Sequence, residues 1–406
     1  MVEKILIRPE TLEHSYIPER LPRREDVRRD ISNDLIDFFQ HGFGFTSWII
    51  YGGAGAGKTV LSHRVGNDVK KALAEDIIFV YVNCKGKRSY RVLTEIVHQI
   101  ESSIPERGLS RDDLMNILYN LILDKGGSAL IILDELSDLF RRDKIDEINK
   151  AKDFLYALSR LPERQWGKRK TMKLAVIGVI WNRYKPDFIL NLDNVTRASF
   201  IKNEVKLKPY SVSDLIEILE YRASLAFKEG SVSPEAIELI ANFAVNSQPE
   251  EGGNARIAMD ILRDAGRYVD RLGAGYLDVE HVRMVLKYHP ELPRIDSELI
   301  MSLDRHKLVL LLSIIKAFRL YNKSFITRAE LEEIYKETCE EYGERPRKTT
   351  QLLRYLKELS HELPGVIEAE VTGKGQRGRS TRIRVNVPLD DLEKSVISLL
   401  RGEKIA

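Results

Sequence analysis

Apolar positions along this chain change their period twice, and the changes divide it into three parts. In the first half, short apolar runs of strand length at residues 47–51, 77–83, 129–133 and 173–180 alternate with stretches whose apolar residues return at helical spacing, such as 91–100 and 111–123. That alternation predicts a parallel sheet covered by helices. The run at 129–133 is apolar at every position, as a central strand buried on both faces requires. After Val205–Tyr210 the strand signals stop, and residues 213–227, 234–246 and 255–272 read as consecutive helices, each opened near Ser, Pro or Gly. A non-periodic, Pro-bounded stretch at 289–294 reads as a linker. Beyond it, 307–319 is a strongly apolar helix, Thr327 caps a second helix running to about Tyr342, and Thr349 or Thr350 caps a third over 351–362. Two β-like segments, 365–371 and 380–387, follow. The expected layout is an α/β core at 1–207, a helical lid at 208–290 and a third domain at 291–406.

The chemistry enters between the first predicted strand and the helix after it. Residues 52–59 read Gly-Gly-Ala-Gly-Ala-Gly-Lys-Thr. Trp48, Ile49, Ile50 and Tyr51 precede them, and Val60, Leu61, Val65 and Val69 recur at helical spacing afterwards. A strand, a glycine-rich loop and a helix are the context of a phosphate-binding P-loop. Its glycines let backbone N–H groups turn toward phosphate oxygens, and the helix N-terminus adds partial positive charge. The expected cradle comprises Gly52, Gly53, Ala54, Gly55, Ala56, Gly57, Lys58, Thr59 and Val60, with Lys58 reaching the β and γ phosphates. The Thr59 hydroxyl would be a ligand of Mg²⁺. The apolar run 129–133 ends in Asp134 and Glu135, at the end of a strand where open α/β sheets bind ligands. Asp134 would complete the Mg²⁺ shell and Glu135 would polarise the water that attacks the γ-phosphate. A carboxylate pair after the strand, rather than Asp alone, favours hydrolysis over binding. The expected cofactors are therefore ATP or ADP and Mg²⁺.

Composition changes this picture little. With 406 residues, 43% of them hydrophobic and 31% charged, the chain has the profile of a soluble globular protein of two or three domains. No apolar run approaches membrane-spanning length, and the first residues lack the order of a secretory signal, so the expectation is a cytoplasmic, nucleoid-associated protein without a membrane partner. Cys84 and Cys339 belong to no paired motif, and the eight histidines show no ligand-like spacing.

Net charge is only +3, but its distribution is uneven. From Gly343 to Arg384 there are ten Lys or Arg against five Asp or Glu, and the stretch from Thr372 to Arg384 holds five basic residues and no acid. Three helices followed by a hairpin with a basic, glycine-rich tip is the order of a winged helix-turn-helix. Its third helix would enter the major groove of double-stranded DNA, offering Arg347, Lys348, Thr349, Thr350, Gln351 and Arg354 near its start. Lys374, Arg377 and Arg379 on the wing would lie on phosphates or in a minor groove.

Taken in order, these segments resemble the archaeal origin-recognition initiator ATPases, AAA+ proteins with a C-terminal winged helix, and the resemblance covers nearly the whole chain. The stretch from Tyr16 to Glu25 resembles the segment with which that family encloses adenine, implying nucleotide contacts from Tyr16 and Arg24. The resemblance further implies a sensor residue at Asn182, after the predicted strand 173–180, that positions the attacking water. It implies a second sensor at Arg256, carried by the lid and aimed at the γ-phosphate. Lys208-Pro209-Tyr210 resembles the family's core-to-lid junction. A helical insertion beginning near Pro105 would add Arg107 and Arg111 to the DNA contacts. Two departures are specific: within Pro22-Arg23-Arg24 an Arg stands where the family commonly has His, and Asn254 stands where it usually has Asp. The implied function is an ATP-dependent initiator that binds replication-origin DNA, hydrolyses ATP slowly as a switch and helps recruit the replicative helicase, beside a paralogous initiator. The alternatives are a sequence-specific DNA-binding regulator whose ATPase core is passive or sensory, and an ATPase of a mobile element.

Overall fold

The computed structural model describes residues 4–73, 77–141, 144–164, 172–247, 252–288, 297–371 and 381–402. The expected linker at 289–294 and the wing tip carrying Lys374, Arg377 and Arg379 lie outside the described residues. The chain divides into two compact units, Ser15–Asp214 with Glu250–Ala255, and Met1–His14 with Leu215–Pro249 and Arg256–Ala406.

In chain order the first of these units contains α1 (Glu25–His41), β1 (Gly44–Gly52), α2 (Lys58–Ala72), β2 (Ile78–Asn83), α3 (Ser89–Ile100) and α4 (Arg111–Asp124). There follow β3 (Ser128–Asp134), α5 (Ile145–Ser159), β4 (Lys173–Trp181), α6 (Lys185–Leu190), α7 (Asn194–Phe200) and β5 (Asn203–Leu207). The five strands are parallel in the order β2-β3-β4-β1-β5. β3 and β4 are buried almost throughout, which explains their unbroken apolar runs. β5 lies at the sheet edge with Glu204 and Lys206 exposed, and this alternation hid it from the apolar-run criterion. One face of the sheet packs against α3, α4 and α5, and the other against α1 and α2, through Ile31, Leu35, Leu61, Val65 and Val69. α4 opens on a capping box in which Ser110 and Asp113 satisfy each other's backbone N–H groups.

The second unit holds most of α8 (Val212–Ala226) and α10 (Ala255–Leu272), with α9 (Pro234–Asn246) and α11 (Val279–Leu286). Its N-terminal segment runs along the lid helices: the Ile7 amide donates to the Ala226 carbonyl (2.9 Å), and the Lys228 amide to that of Ile5 (2.8 Å). The same unit contains the C-terminal domain: α12 (Ser297–Met301), α13 (Arg305–Tyr321), β6 (Ile326–Thr327), α14 (Arg328–Glu341), α15 (Thr349–Glu362), β7 (Ile367–Val371), β8 (Thr381–Val385) and α16 (Leu389–Leu400). β6, β8 and β7 form an antiparallel sheet in that order, beside a core centred on the buried residues Val309–Ile315 of α13. Thr327 caps α14 as expected, with Glu330 completing the box. The third helix departs from expectation. α15 starts at Thr349, with Lys348 in the capping position and no side-chain cap, so neither threonine serves as the cap.

The lid and the winged helix meet through buried polar contacts. Arg283 of α11, fully buried, pairs with Glu280, donates to the Lys323 carbonyl (3.3 Å) and lies 4.9 Å from the Phe318 ring centroid. Ser324 donates to Glu238, and Asn246 of α9 donates to Glu368 of β7 (2.9 Å). Burial pushes the Glu368 carboxyl above its usual range, with the Asn386 amide (2.9 Å) among the contacts that offset it. Glu280 is 43% exposed, so truncating Arg283 strands no buried charge. It removes the packing on Phe318 and the bond to the Lys323 carbonyl, and leaves a cavity between lid and winged helix. Arg283→Ala is therefore expected to lower the calorimetric Tm of this unit by roughly 6–12 °C, as for truncation of a large buried side chain. A shift under about 2 °C would mean that the joint carries little of its stability.

Candidate functional site

β1 ends at Gly52 and α2 begins at Lys58, so the glycine loop turns out of the sheet at its C-terminal edge. Gly55 and Gly57 hold left-handed backbone, with φ of +66° and +86°. Both also sit under close neighbours. A Cβ on Gly55 would fall 1.9 Å from Asn254 Oδ1, and one on Gly57 would fall 2.7 Å from the Tyr210 hydroxyl. Lys58 Nζ donates to the carbonyls of Gly52 (3.0 Å) and Gly53 (2.7 Å), spanning the mouth of the loop. Gly53 and Ala54 are half-buried, Ala56 is buried, and the Val60 side chain packs on the core beneath.

Arg24 rests on this loop. Its Nε donates to the Ala56 carbonyl (3.3 Å), its Nη2 to the Lys208 carbonyl (2.6 Å), and its guanidinium lies 4.1 Å from the Tyr210 ring centroid. Beside it Arg23 adopts φ +64° and pairs with Asp214 (3.1 Å). Tyr16 lies half-buried in the segment that precedes α1. The Gly253 amide donates to the Tyr210 carbonyl (3.2 Å) and the Ala255 amide to that of Gly55 (3.3 Å). The departure at Asn254 thus lies directly on the glycine loop.

At the end of β3, Asp134 is only 3% exposed. Its Oδ2 accepts from Thr59 Oγ1 (3.0 Å) and from the Tyr81 hydroxyl (2.8 Å), while Oδ1 accepts from the Glu135 amide (2.9 Å). Burial, then the charge and hydrogen bond of Asp134, raise the Tyr81 hydroxyl above its ordinary value, so it stays a proton donor. The His63 ring lies 4.1 Å from that of Tyr81, and burial lowers its pKa with the charge of Asp134 opposing. Glu135 holds left-handed backbone (φ +52°) and is half-buried at the bend after β3. Thr59 and Asp134 offer hydroxyl and carboxylate oxygens, which suit a hard cation such as Mg²⁺ completed by phosphate and water. Among the described residues no cluster of three or more His, Cys, Asp or Glu forms an all-protein metal site.

Asn182 follows β4, the strand between β3 and β1, and is exposed. Arg256 is the second residue of α10. Neither Tyr81 nor His63 was anticipated from the sequence. Yet Thr59, His63 and Gly66 recur at helical spacing on α2, and Phe79, Tyr81 and Asn83 alternate along β2. The two patterns predict the packing that is found.

A second candidate surface is the start of α15. Arg347, Lys348, Thr349 and Thr350 are exposed there, with Arg347 bonded to His306. Gln351 turns to the Tyr355 hydroxyl (3.1 Å), and Arg354 pairs with Glu358 (3.3 Å). Within the basic stretch 372–384, Arg384 is a correction. It is buried and bonded to Glu370 (2.7 Å), so it belongs to the hairpin's packing and not to an open cationic stripe. Arg107 is exposed, whereas Arg111 faces Asp153 (3.7 Å).

A phosphate loop, a strand-end Asp-Glu pair, a helical lid and a winged helix define an AAA+ ATPase with an appended DNA-binding fold. Family models agree segment by segment: an AAA domain at 43–183, a Cdc6 AAA+ ATPase-type lid domain at 216–286, and the CDC6 C-terminal winged helix domain at 298–395. The chain is 29% identical over 384 residues to ORC1-type DNA replication protein 2 of Sulfurisphaera tokodaii, covering 93% of this chain and 88% of that one. It is 28% identical over 400 residues to the protein of that name from Saccharolobus solfataricus, covering 95% and 91%. The crystal structure of Cdc6p from Pyrobaculum aerophilum superposes with a TM-score of 0.76 at 29% identity, covering 98% of this chain and 99% of that one. The Aeropyrum pernix ORC1 protein in complex with DNA gives 0.61 at 25% identity, covering 98% and 97%. The chain belongs to the Cdc6/ORC1-type family of AAA+ replication initiators.

Because His63 binds its proton less readily when folded than when unfolded, it contributes stability above its ordinary pKa that is lost as pH falls. Acidification from pH 7 to 5 is expected to lower the Tm of the wild type more than that of His63→Gln. Equal losses in the two proteins would show that His63 is not a source of this dependence.

Proposed function

We propose that this protein is an ATP-controlled initiator that binds double-stranded replication-origin DNA and helps recruit the replicative helicase. The observation that carries the reading is the convergence of Lys58, Thr59, Asp134 and Glu135 at one sheet edge, in a chain that ends in a winged helix. Loop amides from Gly53 to Thr59 would hold the phosphates, and Lys58 would exchange the Gly52 and Gly53 carbonyls for the β and γ phosphate oxygens. Thr59 and Asp134 would hold Mg²⁺, which when bound offsets phosphate charge. Glu135 would orient and polarise the attacking water, Asn182 would help place it, and Arg256 would read the γ-phosphate from the lid. Tyr16 and Arg24 would contribute to nucleotide binding, Arg24 by fixing the loop through the Ala56 carbonyl. Slow turnover would make the bound nucleotide a timed signal.

The DNA reading is supported by the winged helix and by a relative whose structure contains DNA. The exposed start of α15 would read the major groove. Lys374, Arg377 and Arg379 would lie on the backbone, and Arg107 and Arg111 would add contacts from the core. A paralogous partner is supported by the similarity to two different ORC1-type proteins of Sulfurisphaera tokodaii.

Lys58→Ala is expected to abolish ATP binding by isothermal calorimetry, whereas Glu135→Gln keeps binding and stops phosphate release. Wild-type turnover in the Glu135→Gln protein would remove Glu135 as the base. Affinity for origin DNA over a scrambled duplex, read by anisotropy at one fixed salt concentration, is expected to differ by at least about a thousandfold. Near-equal affinities would instead favour a partner-dependent regulator. Replacing Arg377 and Arg379 together is expected to lower the slope of log K against log salt by about 1–2. A wild-type slope would place the wing outside the interface.

A further inference from the structure

We infer that Tyr81 is a positioning residue for metal-linked nucleotide binding, its hydroxyl fixing the Asp134 carboxylate so that Thr59 and Asp134 act as one oxygen-donor pair. The inference rests on the nucleotide-site reading above and adds to it a residue outside both phosphate-site motifs. Three hydrogen bonds reach the carboxylate of Asp134: Thr59 and Tyr81 both donate to Oδ2, at 3.0 and 2.8 Å, and the Glu135 amide donates to Oδ1 at 2.9 Å. Thr59 and the Glu135 amide come with the two motifs themselves. Tyr81 comes from the neighbouring strand β2, whose register sets Tyr81 opposite Ile132 and Asn83 opposite Asp134.

The need for the extra donor follows from torsional freedom. The terminal torsion of an aspartate is broad and roughly two-fold, so a carboxylate with one side-chain donor rocks about its axis. Two donors converging on Oδ2, with an amide on Oδ1, remove that rocking. The Thr59 hydroxyl spends its hydrogen on Asp134 and keeps its lone pairs directed elsewhere, as a cation ligand requires. The tyrosine is itself held. His63, one helical turn beyond Thr59, lies against its ring at a centroid distance of 4.1 Å, and the Gln99 amide donates to its carbonyl (2.9 Å). A phenol braced in this way serves as a fixed donor.

Tyr81→Phe deletes that donor and keeps the ring. The test is a titration of the full-length protein with a fluorescent ATP analogue, in EDTA and across a Mg²⁺ series. Affinity in EDTA is expected to stay within about twofold of wild type, while the Mg²⁺ concentration for half-maximal tightening rises roughly tenfold or more, as befits one lost hydrogen bond to a charged group. Unchanged Mg²⁺ dependence would overturn the inference and leave the nucleotide reading intact. An equal loss of affinity with and without Mg²⁺ would also overturn it, because Tyr81 would then support the fold of the site generally. If wild-type binding did not respond to Mg²⁺, the assignment of Thr59 and Asp134 would fall, and this inference with it.

Discussion

A buried carboxylate organises the nucleotide-binding unit. Asp134 sits at the end of a central strand with almost no access to water, and an ionised group there is tolerable only when donors replace its hydration. Its donors come from α2, β2 and its own chain, so the carboxylate is satisfied only when helix, neighbouring strand and bend are all in place. Correct docking of α2 on the sheet and correct register between β2 and β3 are thereby tied to one side chain. The bend itself has a cost, since Glu135 holds left-handed backbone that non-glycine residues seldom adopt. Such strain persists where the surroundings over-determine it, and it turns the chain sharply at the point where a second acidic side chain is presented beside Asp134.

The glycine loop is secured from above by a different set of contacts. Tyr210 and Asn254 approach so closely that Gly57 and Gly55 have no room for a side chain, quite apart from their backbone angles. Arg24 closes the arrangement by stacking on Tyr210 while bonding two carbonyls, one of them in the loop. A guanidinium suits this position because its planar fork donates in two directions while its face meets an aromatic ring. Arg24 and Asn254 thus belong to one contact set on the loop.

The sheet was legible because buried parallel strands leave unbroken apolar runs, and the lid and winged helix were legible from helical period and turn residues. α1 was not anticipated: its buried residues, Ile31, Leu35 and Phe39, are a sparse stripe in a highly charged sequence. β5 registered only as the last strand signal, at Val205–Tyr210, and not as an apolar run, because an edge strand exposes every second residue. At the site, the motif residues were legible because phosphate chemistry fixes both their identity and their spacing. Tyr81 and His63 were not, since their roles arise from which strand lies beside which, and only tertiary register decides that. The cap of α15 shows the converse: two adjacent threonines promised a cap, and the backbone placed both inside the helix.

Charge on the winged helix makes a related point about what composition can carry. An excess of arginine and lysine in a stretch of sequence measures potential, whereas an interface needs cations that are not already engaged in the fold. Arg384 is buried against Glu370, and Arg382 lies 4.5 Å from the Phe325 ring centroid, so both help hold the base of the hairpin. Arg354 faces Glu358 one turn along α15, an exposed pairing of the kind that is weak and readily exchanged for phosphate. The exposed run from Arg347 to Thr350 is different, because it stands at a helix N-terminus that lacks a side-chain cap. The positive end of the helix dipole and neighbouring cations reinforce each other there toward an anionic backbone. The start of α15 thus combines exposed charge with an uncapped helix N-terminus, and this combination, beyond the count of basic residues, makes it the strongest described candidate for the DNA surface.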